Sequence, residues 1–504
     1  MIKNTGFIIN QQTSIKDGIA DRQIIWGIII VFIGAIAAIL SSKLGLGLLS
    51  VWPVIILFFV FVKHYELGLI CFVLSFAYQA PVIFAPSFGL SAIIRLDEMI
   101  FVSIFPVWLL RKSVRQEKSL ARSPLRNPLL FYALIAFLSL LVRYNEISST
   151  PFLHTGTGMI GLSPLILRLF EVVGGYLMLT DQWTAQKTQQ SLFRCLHIVA
   201  GFAVVFSSLA SHGFLPKDFF GIEMYDPYAW LTRFSLYGNT SAWGVLLVIY
   251  FLILLYWFLY FKPVIGKIVF ILLMILCVDA ILISGTKTAM ISLMVGLILL
   301  MIRESKNFKL STRMLIIAFI IVSSGMWFLE QFATAEQKRE VYGQLESAYV
   351  ATGIRGFEKA YHETSLGSRF DNWGRFVETV QEEPELLVLG RGWQRRAIYE
   401  TGISLHADLL TSTHDMGILG AVFVIWLYFK MFTQFSIKIK QPFSTGETKL
   451  LNSIMQILVL LIIASSFSSE NLTLYPGIDV QFPFIITIMA ITWSYIRGLN
   501  YRTI

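Results

Sequence analysis

Apolar runs of about 17 to 22 residues recur along the whole chain, most of them joined by short polar turns. No other feature narrows the fold as sharply. Each run is long enough to cross a hydrocarbon core of about 30 Å as an α-helix. A backbone surrounded by lipid must satisfy its hydrogen bonds internally, which leaves helices as the natural solution for such runs. A soluble core has no need of this many uninterrupted apolar segments. The 504 residues are 56% hydrophobic and 14% charged, against about 25% charged in soluble domains. The pattern predicts an all-α polytopic integral membrane protein of about 14 transmembrane helices. Their expected extents are 23–41, 45–62, 66–82, 92–110, 128–143, 164–181, 191–209, 240–261, 266–283, 288–302, 314–330, 416–433, 450–468 and 480–497.

The net charge of +9 is a membrane signal rather than a nucleic-acid one, because the cations fall in alternate short loops. Arg111, Lys112, Arg115, Lys118, Arg122 and Arg126 form one cluster expected to stay in the cytoplasm. Alternation then puts Lys262 and Lys267, Arg303 to Arg313, Lys430 to Lys449, and Arg497 with Arg502 on that same side. Both termini are expected in the cytoplasm of a multi-pass protein of the cell inner (plasma) membrane. The three cysteines, Cys71, Cys195 and Cys277, lie within apolar runs and suggest neither a disulfide framework nor a zinc site. The first apolar run is long enough to be retained as a span, so no cleaved signal peptide is expected.

One polar stretch interrupts the pattern. Residues 330–415 should form a large, partly helical loop on the periplasmic or extracellular side. This divides the chain into N-terminal transmembrane helices (1–329), a loop domain (330–415) and C-terminal transmembrane helices (416–504). Within the loop, Phe370, Trp373, Val377 and Val380 are expected on one helical face, with Pro384 ending that run. Trp393 and Tyr399 suit the headgroup level.

Ionisable groups inside spans are costly and usually face a bundle interior or a wet cavity. Arg95, Asp97 and Glu98, Arg168 and Glu171, and Asp279 are such groups, and Arg95 and Glu98 are spaced to pair on one helix face. They serve either as ion pairs between helices or as the lining of a substrate cavity. Two cations sit at expected outer ends of spans, against the positive-inside bias: Arg233, before Gly238-Asn239, and Lys287, in Ser284-Gly-Thr286-Lys287. An anion at the outer headgroup level is one reason for them; contact with ordinary lipid phosphate is the other. The loop adds Arg369, Arg375, Arg391, Arg395 and Arg396, whose forks match phosphate oxygens but which also have Glu378, Glu382, Glu383 and Glu385 close by in sequence.

The loop ends in His406-Ala-Asp408-Leu-Leu, followed by Gly417-Ile-Leu-Gly420. This resembles the O-antigen ligase and O-antigen polymerase family of membrane glycosyltransferases, whose pattern there is His-Asn, a leucine, then Gly-x-x-Gly opening a helix. Alanine stands here in place of the asparagine. Arg233 with Gly238-Asn239 is similar to the family's arginine and Gly-Asn-Pro-Asn region, with threonine for the proline. Ser284 to Lys287 is similar to its Ser-Arg turn, with lysine for the arginine. Arg369, Trp373, Pro384, Gly390 and Gly392 resemble the segment leading to the histidine. The likeness spans roughly residues 230–430.

The resemblance implies a glycosyltransferase whose donor is a glycan on undecaprenyl diphosphate. The acceptor is a sugar hydroxyl, on another lipid-linked repeat unit for a polymerase of O-antigen or exopolysaccharide, or on lipid A–core for a ligase. A polymerase is favoured by the length of the chain and of its loop. Arg233 and Lys287 are then the catalytic cations that neutralise the leaving diphosphate, with Arg369, Arg375 and Arg391 as further substrate contacts. His406 is the expected base for the acceptor hydroxyl, and His414 and Glu470 compete for that role. No Asp-x-Asp or His-x-x-x-His pair is present, which favours catalysis without a metal or other cofactor. The expected partners are the lipid-linked glycan, the acceptor glycan, membrane lipid and other polysaccharide-assembly proteins, with no nucleic acid. A lipid-linked oligosaccharide flippase is the rival class, but such transporters tend to show two related halves, which this sequence lacks.

Overall fold

The computed structural model describes residues 22–37, 51–77, 81–84, 92–115, 123–142, 151–152, 156–181, 186–215, 240–260, 263–303, scattered positions between 323 and 342, 365–392, 408–436, 446–466 and 481–501. They form a helical bundle. Its first helices are α1 (Arg22–Ala37), α2 (Val51–Lys63), α3 (Tyr65–Ser75), α4 (Leu96–Val114), α5 (Arg126–Val142), α6 (Gly158–Leu179) and α7 (Gln186–Ser211). α8 (Thr240–Tyr260), α9 (Val264–Ile283) and α10 (Lys287–Arg303) follow. Then come α11 (Ser365–Glu382), the single turn α12 (Leu386–Leu389), the bent α13 (Asp408–Gln434), α14 (Gly446–Ser465) and α15 (Gln481–Tyr501). A helix stands at every expected run except 314–330, of which only scattered positions from 323 onward are described, all of them helical. Among the described residues, four helices qualify as membrane spans by length and composition: Lys187–Ser211, Val264–Ile283, Asp408–Gln434 and Thr448–Ser465.

The expectation of an all-helical chain needs one amendment. Two small antiparallel pairs join the helices, β1 (Pro81–Phe84) with β2 (Ala92–Arg95), and β3 (Pro151–Phe152) with β4 (Gly156–Thr157). The run expected as a helix from residue 92 therefore starts as a strand. Ile93 and Ile94 are β-branched and suit a strand. Glu98 reaches back to accept the Arg95 backbone N–H at 2.7 Å, which fixes the helix start at Leu96.

α15 is the axis around which the bundle closes, packing on α6, α7 and α8. Phe484 sets its ring against Phe76 of α3 and Tyr250 of α8, and Phe482 meets Tyr132 of α5. Large apolar side chains remain on the outside of the bundle, among them Trp52, Phe59, Leu141 and Ile265. That inversion of the soluble pattern is what a lipid solvent asks for.

Candidate functional site

Four glycines shape the site. α13 is two limbs joined at Gly417, whose φ of 64° and ψ of −155° are open only to glycine. The first limb folds back on the second, so a Cβ on Gly420 would run into the Ser412 carbonyl. Gly390 and Gly392 follow α12 with φ of 65° and 114°. Their strand of backbone lies against the crest of the bend: Arg391 N–H donates to the His414 carbonyl at 2.7 Å and Gly392 N–H to that of Asp415 at 3.0 Å. Ser139 of α5 reaches the same Asp415 carbonyl at 3.5 Å. The Gly-x-x-Gly motif is thus a requirement of backbone crossing.

The first limb carries Asp408 down from this crest. Asp408 is buried, its carboxylate accepts the Tyr428 hydroxyl, and its N–H donates to the Ser466 carbonyl at 3.1 Å. Tyr428 stands about 16 Å of helix below Gly417, at about 1.5 Å per residue. The end of α14 therefore meets α13 about 16 Å of helix below the bend, at about 1.5 Å per residue. α15 starts close to the same depth, since Gln434 at the end of α13 donates its Nε2–H to Met489 Sδ of α15 at 3.4 Å.

Other ionisable groups collect near this level. Ser494 of α15 reaches the Leu179 carbonyl, which by register sets Arg168 beside the first turn of α15. Arg168 is buried among three carboxylates, with contacts of 3.0 Å each to Asp97, Glu98 and Glu171. Glu98 accepts the Arg95 backbone N–H and pairs with Arg168. Asp279 of α9 accepts His212 Nε2 at 2.9 Å and Ser208 Oγ at 3.2 Å. Gly296 of α10 meets Leu461 of α14, which places Lys287 about 6 Å of helix above Ser466, at about 1.5 Å per residue.

Lys287 is half-buried and opens α10 after a tight turn. Gly285 takes φ of 63°, Ser284 Oγ donates to the Ile281 carbonyl at 2.7 Å, and Ser284 and Thr286 hydroxyls lie 3.2 Å apart. Thr286 packs directly on Gly244 of α8.

Of the other expected site residues, His414 is buried at the crest, its Nδ1 3.1 Å from Asp415 Oδ1 and its ring facing Phe376. Arg391 pairs with Glu383 at 2.7 Å, which holds the end of α11 to the backbone that crosses the bend. Arg375 is exposed on α11. Arg369 also falls on α11, its side chain outside the described atoms. The apolar stripe of α11 runs through Trp373, Phe376 and Val380, with Val377 exposed instead. Arg233, Gly238, Asn239, Trp393, Arg395, Arg396, Tyr399, His406 and Glu470 lie outside the described residues. No group of His, Cys, Asp and Glu suited to a metal ion occurs among the described residues.

Sequence reasoning missed Asp408, Tyr428 and His212. Asp408 was in view two positions after His406. Tyr428 gave no signal, because only the bend at Gly417 brings it to Asp408. His212 was marked only by following an apolar run that ends on the same expected face as Asp279.

Residues 272–425 match the family model described as O-antigen ligase. The matched stretch includes Asp279, the Lys287 turn, Asp408 and the Gly417 bend. A comparison with curated proteins gives no match.

Proposed function

We propose, from the premise that the chain belongs to the O-antigen ligase and polymerase family, that it polymerises glycan repeat units carried on undecaprenyl diphosphate at the outer face of the inner membrane. The acceptor hydroxyl attacks the anomeric carbon of the donor glycan. The bond from that carbon to the diphosphate oxygen breaks, and the new glycosidic bond forms. The hydroxyl proton passes to a base, for which His406 is the first choice, with His414 and Glu470 as the competing groups. The leaving lipid diphosphate takes up the bonding electrons, and Lys287 and Arg233 offset its charge. Arg369, Arg375 and Arg391 serve the substrate from the loop domain. Positioned cations supply this electrostatic stabilisation without metal.

The observation that carries this reading is the level of Lys287 in the bundle. Lys287 stands about one turn of helix above the point where the Asp408 N–H meets the Ser466 carbonyl at the end of α14. Asp408 belongs to the sequence motif that holds His406.

The full topology belongs to the same proposal: fourteen spans, both termini cytoplasmic and the loop domain of 330–415 outside. Helix ends assigned to one side meet one another, which supports it. Arg168, midway along α6, binds Asp97 and Glu98 at the start of α4. Toward the C-terminal ends of the same two helices, Asp181 accepts Trp108 Nε1 at 2.7 Å and pairs with Lys112.

The description of the matching family favours a second reading, transfer of the finished glycan to lipid A–core by a ligase. Surface glycan from a strain lacking the gene separates the two. A ladder collapsed to one repeat unit supports a polymerase, and long lipid-linked chains left off the core support a ligase. An unchanged polymer refutes both.

A further inference from the structure

Asp279 lies in the last two turns of α9, fully buried, where its neighbours Val278, Ala280, Ile281, Leu282 and Ile283 are buried too. Its Oδ2 takes His212 Nε2 at 2.9 Å and Ser208 Oγ at 3.2 Å, and its Oδ1 has no hydrogen-bond partner among the described residues. The His212 side chain is 1% exposed. The transfer chemistry above uses neither residue. A pair that served only to join α7 and α9 would gain nothing over packed aliphatic side chains, because buried ion pairs are often matched or bettered by apolar replacements. α7 and α9 already pack along their lengths, for instance where Gly201 meets Leu273.

What singles out this position is its rigid connection to Lys287. The Ser284 N–H donates to the Ala280 carbonyl at 2.9 Å and the Gly285 N–H to that of Leu282 at 3.1 Å. The turn is hydrogen-bonded onto the helical segment that holds Asp279. On its other side Thr286 sits against Gly244, where a Cβ would fall 2.9 Å from the threonine Cβ. A shift of the last turns of α9 is therefore passed on to the residue that opens α10.

We propose that His212 is a positioning residue: through Asp279 it fixes the Ser284–Lys287 turn, and so the ammonium group that meets the donor diphosphate. This rests on the assignment of Lys287 to that diphosphate. The imidazole donates to the carboxylate, which holds ring and helix end in one arrangement. Asp279 answers to Ser208 on α7 and to His212 just past its end, so the place of the lysine is set from two helices rather than one.

The test is steady-state glycan transfer by the full chain in lipid nanodiscs, with the lipid-linked donor titrated and thermal midpoints measured in parallel. His212→Ala should lower kcat/KM for the donor on the order of 10²-fold per folded molecule, with KM for the acceptor unchanged. His212→Gln, whose amide N–H can stand in for Nε2–H, should recover most of the loss. A His212→Ala, Asp279→Asn double variant should be no worse than the poorer single variant, as expected of two residues acting as one unit. Should His212→Ala not fold, His212→Gln and Asp279→Asn decide the matter. Parental donor kinetics in His212→Ala overturn the proposal. So does a loss in His212→Gln as large as in His212→Ala, or a double variant whose effects multiply. Lys287→Ala, run alongside, separates the two assignments: parental transfer in that variant defeats the role of Lys287 itself, whatever His212 does.

Discussion

Replacing Gly417 by alanine tests the geometry on which the site depends. At φ of 64° and ψ of −155° a side chain is strained by about 1–3 kcal/mol. The new methyl would also lie 2.6 Å from the Val388 carbonyl carbon and 2.8 Å from the Leu387 oxygen. Those are backbone atoms of α12, so relief requires the two segments to part, at about 1–3 kcal/mol for overpacking. The total is about 2–6 kcal/mol, a large part of the roughly 5–15 kcal/mol that holds a typical protein together. Parting also removes the bonds from Arg391 and Gly392 to the carbonyls of His414 and Asp415. The assay is thermal unfolding of the detergent-purified protein, followed by tryptophan fluorescence, together with glycan transfer. Gly374→Ala is the comparison. Its Cβ meets nothing within 4 Å on the exposed face of α11, and alanine favours helix over glycine by about 1 kcal/mol. Gly417→Ala should melt well below the parent and transfer little glycan, while Gly374→Ala should equal or exceed the parent in stability. Matching midpoints and activity in the two variants would refute the bend.

Three further outcomes follow from the same contacts. Arg168→Met leaves the Asp97, Glu98 and Glu171 carboxylates crowded and buried without their shared cation, and should cost about 3–5 kcal/mol, read as a lost or lowered unfolding transition. Tyr428→Phe removes one hydroxyl from the Asp408 carboxylate; a loss of about 1.5–3 kcal/mol of local anchoring should slow transfer by on the order of tenfold or more while most of the protein still folds. Arg375→Cys should react with a membrane-impermeant maleimide in intact cells. The parent should not, because Cys71, Cys195 and Cys277 are all buried.

The apolar runs made the bundle legible because lipid exposure leaves its mark on composition, residue by residue. The expected extents at 240–261 and 266–283 are nearly those of α8 and α9. Residues 92–95 were misjudged because apolar content alone does not separate a strand from the first turn of a helix. The site was legible where it was local: Gly417-x-x-Gly420 and Ser284 to Lys287 are contiguous motifs, and both prove to be tight backbone turns. It was illegible where the partners are distant in the chain. The contact of Asp408 with Tyr428 depends on a fold-back, and that of His212 with Asp279 on how far up the bundle two helices end. Neither is encoded in a spacing. The apolar face of α11 was legible at Trp373 and Val380 but not between them, since Phe376 rather than Val377 turns inward to Leu386.

The most direct test is reconstitution of the purified chain in liposomes with a lipid-linked repeat unit, following glycan length and free lipid diphosphate together. The account predicts one lipid diphosphate released for each repeat unit transferred. It also predicts that Lys287→Ala lowers that rate on the order of 10²-fold in protein that remains folded. Glycan growth without release of lipid diphosphate, or an undiminished rate in Lys287→Ala, would contradict it.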